Sequence, residues 1–516
     1  MKKIFYIAIA VFSLTASSCS EELMETYAPG ALLEDVAIQN AADLQEYLNT
    51  TYGGLTSRNE AEFVSIFTDE VGIGFDNGGQ GINDNYVFFL NPLTGGPRVL
   101  WANNYASLAR INRIIILADK LLATNTTEQD KIKKIKAEAL TLRAYCHLTI
   151  LSYFTTDMKD PNALAGIISN RIFAIDDNDF PRNTNAQFYS FIQGDLTSAI
   201  SLFDSLPAAS NVFSNIYVGR IFAQGLKARA YAYAGDYPNA ETWANTVINS
   251  SGLTLSTYAT YPSVFLTESN ALNVEVIFKF KRIISDNNQA SNLHNAWYNG
   301  APSIAGAPIF EIGRALFNKL EVADTRYRTI VHPNSTIDPN YATSPNVKAS
   351  DKLLINKHGG TLTAGATPWA ATASNANNND IKIMRLAEMY MIRAEARVAA
   401  TDLVGAATAV KALRDRRFTA AQALPTYANA TAAWKGILDE RRIEFAFEGM
   451  RFIDLKRLGT LANSGIDRHP ADYQSATANY PAANPANLPL GSYKWALPIP
   501  AIETNVNNAI QQNPGY

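Results

Sequence analysis

The chain has 516 residues with 47% hydrophobic and 18% charged, ordinary values for globular protein, long enough for one large domain or several smaller ones. A net charge of −3 argues against a nucleic-acid partner, which would favour a basic face. Two cysteines, Cys19 and Cys146, and five histidines without ligand spacing exclude a disulfide framework and a zinc-type set.

In chain order, the first stretch reads Met1-Lys2-Lys3, then an apolar run from Ile4 to Leu14, then small residues before Cys19. A basic start, a short apolar segment and small residues at a cut site make a secretory signal, here 1–18. Ala16-Ser17-Ser18 directly before Cys19 predicts cleavage and lipid attachment at that cysteine, although Ala16 stands where Leu is commoner. A plain signal peptide with an incidental Cys19 is the alternative. Glu21 and Glu22 follow, and 19–33 reads as a tether. No later segment reaches membrane-spanning length without charges, so 34–516 is expected to be one domain outside the bilayer.

Within that domain a first helix is predicted near Asn40 to Leu55. From Leu100 to Phe154, Trp101, Tyr105, Leu108, Ile111 and Ile115 recur at helical spacing, and a T-N-T-T-E break precedes Ile132, Ile135, Ala139, Leu142 and Leu148. A second helical block runs from Ala186 to Ser250. Its A-Y-A-Y-A-G-D-Y-P-N-A-E-T-W-A stretch, 230–244, has the turn chemistry of a tetratricopeptide unit: Gly235 ends one helix and Asp236 caps the next. A third block, Ile381 to Arg417, repeats that alanine-rich logic. The scaffold is therefore placed at 34–250 and 381–460. Between them, 251–380 is loop-rich with one strand-like run, Val274 to Lys281, and 461–516 is a proline-rich tail. Asp69 to Pro97 is a further loop, rich in Gly, Asn and Asp.

Residues 439–459 read D-E-R-R-I-E-F-A-F-E-G-M-R-F-I-D-L-K-R-L-G. Apolar side chains point in most directions around the axis, which predicts burial, and buried charges need partners. Spacing of three offers Arg441 to Glu444, Glu448 to Arg451 and Asp454 to Arg457 as pairs, with Gly449 dividing two helices. This is an internal ion-pair clasp.

The same stretch resembles the hallmark of the SusD/RagB family, outer-membrane nutrient-binding lipoproteins of Bacteroidetes-type bacteria. W-A-N-N-Y-A-S-L-A-R-I-N (101–112), A-E-A-L-T-L-R-A-Y (137–145), Asp195-Leu196 with Ala199, and W-A-L-P-I-P through Q-N-P-G-Y at the end are similar to further family motifs. The resemblance implies an all-α, mainly helical fold: a SusD-like, tetratricopeptide-like scaffold of helix pairs with long irregular insertions. It implies a lipid-anchored, cell-surface protein that binds an oligosaccharide and delivers it to a SusC-like, TonB-dependent β-barrel transporter. The RagB branch offers peptide as a second ligand class. A surface glycan-acting enzyme and a protein-binding helical adaptor are two further readings of the chain.

Carried over by position, the ligand contacts would be Asp76, Asn77, Asn83, Asp84, Tyr86 and Trp101, with Asn295, Trp297, Tyr298 and Asn299 in H-N-A-W-Y-N-G; Trp369 is a further candidate. Aromatic rings stack on sugar faces while amides and carboxylates bond hydroxyls. Trp101 and the Trp297–Tyr298 pair could equally belong to the core. No G-x-S-x-G, H-E-x-x-H or phosphate loop occurs, and the acids concentrate where arginines follow them, so no catalysis is expected. No cofactor is expected either, although Asp176-Asp177-Asn178-Asp179 offers oxygen ligands for a structural calcium.

Overall fold

A computed structural model describes residues 37–55, 59–174, 177–266, 274–282, 297, 308–358, 379–474 and 485–516. The expected signal segment, the tether and Cys19 lie outside these residues. Helices dominate among the described residues. Helix α1 is Ala41–Leu55, α2 Asn59–Phe67, α3 Gly95–Lys120, α4 Thr126–Phe154, α5 Asn185–Asp204, α6 Arg220–Ala234 and α7 Tyr237–Ser250. After the insertion come α8 Leu386–Ala399, α9 Leu403–Arg417, α10 Ala430–Glu444 and α11 Arg451–Ala462.

Local chemistry sets the helix starts. Asn125 accepts from the Glu128 N–H, Thr184 and Gln187 form a reciprocal box, and Asp236, Asp402 and Asn429 each cap the helix that follows. Gly235 closes α6 at φ 80°, a left-handed turn that glycine adopts without a Cβ penalty. From α3 to α8 each helix packs on the one before it, and α8 supports both α9 and α10. Ala228, Ala232, Ala240 and Ala244 are fully buried and let α6 and α7 approach closely. Among the described residues no helix is long and apolar enough to cross a membrane.

Three motif residues from different helices meet. Arg143 on α4 donates to both oxygens of Asp195 on α5 (2.7 and 2.8 Å) and to Asn112 Oδ1 on α3 (3.0 Å). Asn112 Nδ2 in turn holds the Ser169 and Arg171 carbonyls. The polar motif positions are thus struts between neighbouring helices. The tail packs back onto the body: Leu497 N–H donates to the Tyr153 carbonyl, and Asn513 Nδ2 to the carbonyls of Phe154 and Leu497.

Two small sheets depart from the expectation. Strand β1 (Val71–Ile73) pairs antiparallel with β3 (Phe310–Ile312), Val71 opposite Ile312. Neither strand shows in the sequence pattern, since three residues are too few to make a period. Strand β2 (Val276–Phe280) falls in the run read as strand-like, and its partner is β4 (Ile381–Arg385). That corrects the third block, whose first five residues are strand and whose helix begins only at Leu386. A second apolar cluster surrounds β1 and β3 and includes Tyr86, Trp297, Phe310 and Phe447.

Gly449 divides α10 from α11 at φ 79°. A Cβ there would meet nothing nearer than 3.5 Å, so the cost of a side chain is purely backbone strain. Gly449→Ala is expected to lower stability by about 1–2 kcal/mol. Gly194→Ala, in an exposed turn of α5 with open space around it, should raise it by about 0.5–1 kcal/mol. Denaturant titration of the two variants compares them.

Candidate functional site

The site is built outward from the clasp. Glu444, at the end of α10, is fully buried and receives Arg385 (2.7 Å), Arg417 (2.8 Å) and Arg326 (3.2 Å). Glu275, just before β2, shares Arg385 and Arg417, and Glu448 takes Arg385 and Lys357, each at 2.7 Å. Burial pushes the Glu444 carboxyl up, but the three guanidinium groups outweigh it and hold it well below the usual carboxylate range. A second group links α8, α10 and α11 through Glu395, Asp454, Arg441 and Arg457. The expected pairing within the stretch holds only for Asp454 and Arg457. Arg441 goes to Asp454 and Glu395, and Arg451 to Asp69. The correction has a physical cause: helix-face geometry permits a pair at spacing three, but buried bidentate partners on other elements satisfy more of each guanidinium.

Asp69 carries the clasp to the loop face. Its carboxylate takes Arg451 at 2.8 Å and Arg442 at 3.2 Å, and it accepts the Asp467 N–H. The neighbouring Glu70, pushed up to about 7 by burial, accepts from Phe447 N–H and Ser65 Oγ. These bonds fix the start of β1, and β1 with β3 presents the loop that follows. Phe75 N–H donates to Glu311 Oε1 (2.7 Å), and Lys352 Nζ lies 4.0 Å from the centre of the half-exposed Phe75 ring.

On that loop Asp76, Asn83 and Asp84 are exposed. The other predicted contacts within the described residues are buried. Asn77 is buried and braces the loop, donating to the Gln80 and Ile309 carbonyls and accepting from Gly79 N–H. Tyr86 is fully buried, its hydroxyl on the Asp472 carbonyl and Arg468 over its ring at 4.1 Å. Trp101 is 2% exposed, edge-on to Phe154 at 4.9 Å, with Nε1 donating to Glu503. Trp297 is fully buried against Phe447 and His358, and its carbonyl accepts from Ile309 and Phe310. These three rings are a correction to the expectation: each has core neighbours where a sugar face would stack. Asn295, Tyr298, Asn299 and Trp369 lie outside the described residues. Phe75 joins the face without any motif around it to announce it; the β1–β3 pairing brings it to the loop edge.

In the acidic run, Asp177 accepts from Arg171 Nη1 (2.8 Å) and Ala174 N–H, and Asp176 lies outside the described residues. Among the described residues no group of three or more His, Cys, Asp or Glu is placed to hold a metal.

Comparison with known proteins follows the same outline. A family model described as the SusD family matches residues 314–516, and one described as starch-binding associating with outer membrane matches 31–218. No curated protein matches the chain. Among solved structures it is similar to a SusD superfamily protein from Bacteroides thetaiotaomicron, at 23% identity and TM-score 0.74, over 92% of this chain and 100% of that one. A SusD-like carbohydrate binding protein from Bacteroides vulgatus gives 18% identity and 0.68, over 92% and 98%. A laminarin binding SusD-like protein gives 20% and 0.66, over 93% and 100%.

Proposed function

Because the chain belongs to the SusD/RagB family, matched by two models that together cover more than half of it, we propose that it captures an oligosaccharide at the outer-membrane surface. It hands that ligand to a TonB-dependent, SusC-like β-barrel transporter, and Cys19 carries the lipid anchor. The family match carries this reading. The description of the model matching 31–218 names starch and the outer membrane, and one structural neighbour binds laminarin.

The loop face supports the same reading. Asp76 and Asp84 offer carboxylate oxygens to sugar hydroxyls, Asn83 offers both a donor and an acceptor, and Phe75 offers a half-exposed ring edge. The clasp beneath fixes β1, so the loop presents these groups on a rigid base, which lowers the entropy lost on binding. Binding without turnover fits the acids of the clasp: Glu444 and Glu448 are held ionised by arginine and have no proton to donate at neutral pH. Affinity purification of the tagged chain from outer membranes tests the delivery step. A β-barrel transporter should co-purify; recovery of the chain alone contradicts delivery.

A further inference from the structure

Asn77 and Gly78 form an Asn-Gly pair at the root of the loop that carries Asp76, Asn83 and Asp84. Such a pair carries a chemistry of its own. The glycine backbone nitrogen attacks the asparagine Cγ, a succinimide ring closes, and the side-chain nitrogen leaves as ammonia. Water then opens the ring to aspartate or isoaspartate. The attack is fastest before glycine, where no side chain shields the nitrogen; a Cβ built at Gly78 would meet nothing nearer than 3.9 Å.

The fold holds the reacting atoms back. Asn77 is fully buried. Its Nδ2 donates to the Ile309 carbonyl (2.8 Å) and the Gln80 carbonyl (2.9 Å), and its Oδ1 accepts the Gly79 N–H (2.9 Å). Bonds on both sides fix the amide plane, so Cγ cannot turn its face to the Gly78 nitrogen. The nitrogen that must leave is itself tied to two carbonyls. Attack therefore waits until the loop opens. The same three bonds make the product a misfit. A carboxylate at position 77 still accepts from Gly79 but has nothing to donate, so a buried oxygen would face the Gln80 and Ile309 carbonyls. Isoaspartate also adds a methylene to the main chain, in a turn built on Gly78 at φ 63° and Gly79 at φ 86°.

We propose that Asn77 is a site of spontaneous covalent modification, and that its deamidation unlatches the loop. The latch protects the amide, and loss of the amide destroys the latch, so the change runs one way. What it releases is 76–84. Gly74 N–H still reaches the Ile309 carbonyl (2.8 Å) and Phe75 N–H still reaches Glu311, so β1 and β3 stay paired beneath it. The conversion adds one negative charge beside Asp76 and withdraws the fixed base under Asn83 and Asp84. This chemistry belongs to the loop itself and operates whatever the loop captures.

Peptide mass spectrometry of the purified chain, aged at pH 8 either folded or in guanidinium chloride, tests the protection. Conversion of the Asn77 amide to acid should proceed in both samples, at least tenfold more slowly in the folded one. Hydrogen exchange of Asn77→Asp tests the unlatching. Backbone amides of 76–84 should exchange at least fivefold faster than in the parent, with those of α4 unchanged. If that variant misfolds, the aged parent, separated by its added negative charge on an anion-exchange column, supplies the product for the same reading. Equal conversion in the folded and unfolded samples, no conversion at Asn77 in either, or unchanged exchange across 76–84 in the product would overturn the proposal.

Discussion

Glu444→Ala is expected to destabilise the protein by about 3–5 kcal/mol, because it strips three buried guanidinium groups of a shared carboxylate. Arg326 keeps Asp324 and Glu440, Arg385 keeps Glu275 and Glu448, but Arg417 is left with Glu275 alone among the acids. All three arginines are essentially solvent-free, so water cannot replace the lost partner. The effect should reach the loop face as well, since Arg385 also ties β4 to the turn through Glu448. Glu444→Gln should lose less, because its amide oxygen still accepts. Urea unfolding of both variants measures the difference; a loss under about 1 kcal/mol in Glu444→Ala would mean the cluster relaxes as surface pairs do.

Glu138→Gln is expected to act in the opposite direction, increasingly as pH rises from about 4.5 towards 7. Burial pushes the Glu138 carboxyl up to about 7, against its hydrogen bond from the Tyr52 hydroxyl at 2.6 Å. The folded state thus keeps a proton that the unfolded chain releases near 4.5. This group favours folding below that value, and its contribution is lost as pH rises towards 7 and beyond. Glutamine accepts the Tyr52 hydrogen bond and never ionises. The variant should match the parent near pH 4 and exceed it at pH 8 by roughly 3–3.5 kcal/mol, at about 1.4 kcal/mol for each unit of displacement. Unfolding midpoints across pH 4–8 check it; an equal difference at both ends would remove the titration from the explanation.

The helices were legible because their signals are local. Gly235 and Asp236 announce a turn within two residues, and Trp101 through Ile115 repeats over successive turns of one helix. The clasp was legible as buried and charged, but not in its pairing. Arg385 and Glu444 are 59 residues apart, and Arg451 reaches Asp69 across 382, so nothing at helical spacing identifies them. Strands β1 and β3 were invisible for the same reason, being three residues each and paired across the helices that lie between them in sequence. Strand β4 was absorbed into a helix because Leu386 follows it without a break.

Aromatic residues misled where chemistry alone was the guide. A tryptophan on a sugar platform and one in a core have the same sequence neighbours, and Trp101 and Trp297 proved to be core. Asp76, Asn83 and Asp84 came out exposed because the Gly- and Asn-rich loop around them offers little to bury.

Isothermal titration of the purified chain with laminarin oligosaccharides, maltooligosaccharides and an oligopeptide pool bears most directly on glycan capture. At least one glycan should give saturable heat, and the Asp76→Ala/Asn83→Ala/Asp84→Ala triple variant should bind it at least roughly tenfold more weakly, a loss near 1.4 kcal/mol. Heat from the peptides alone, from none of the ligands, or equally from the triple variant would contradict it.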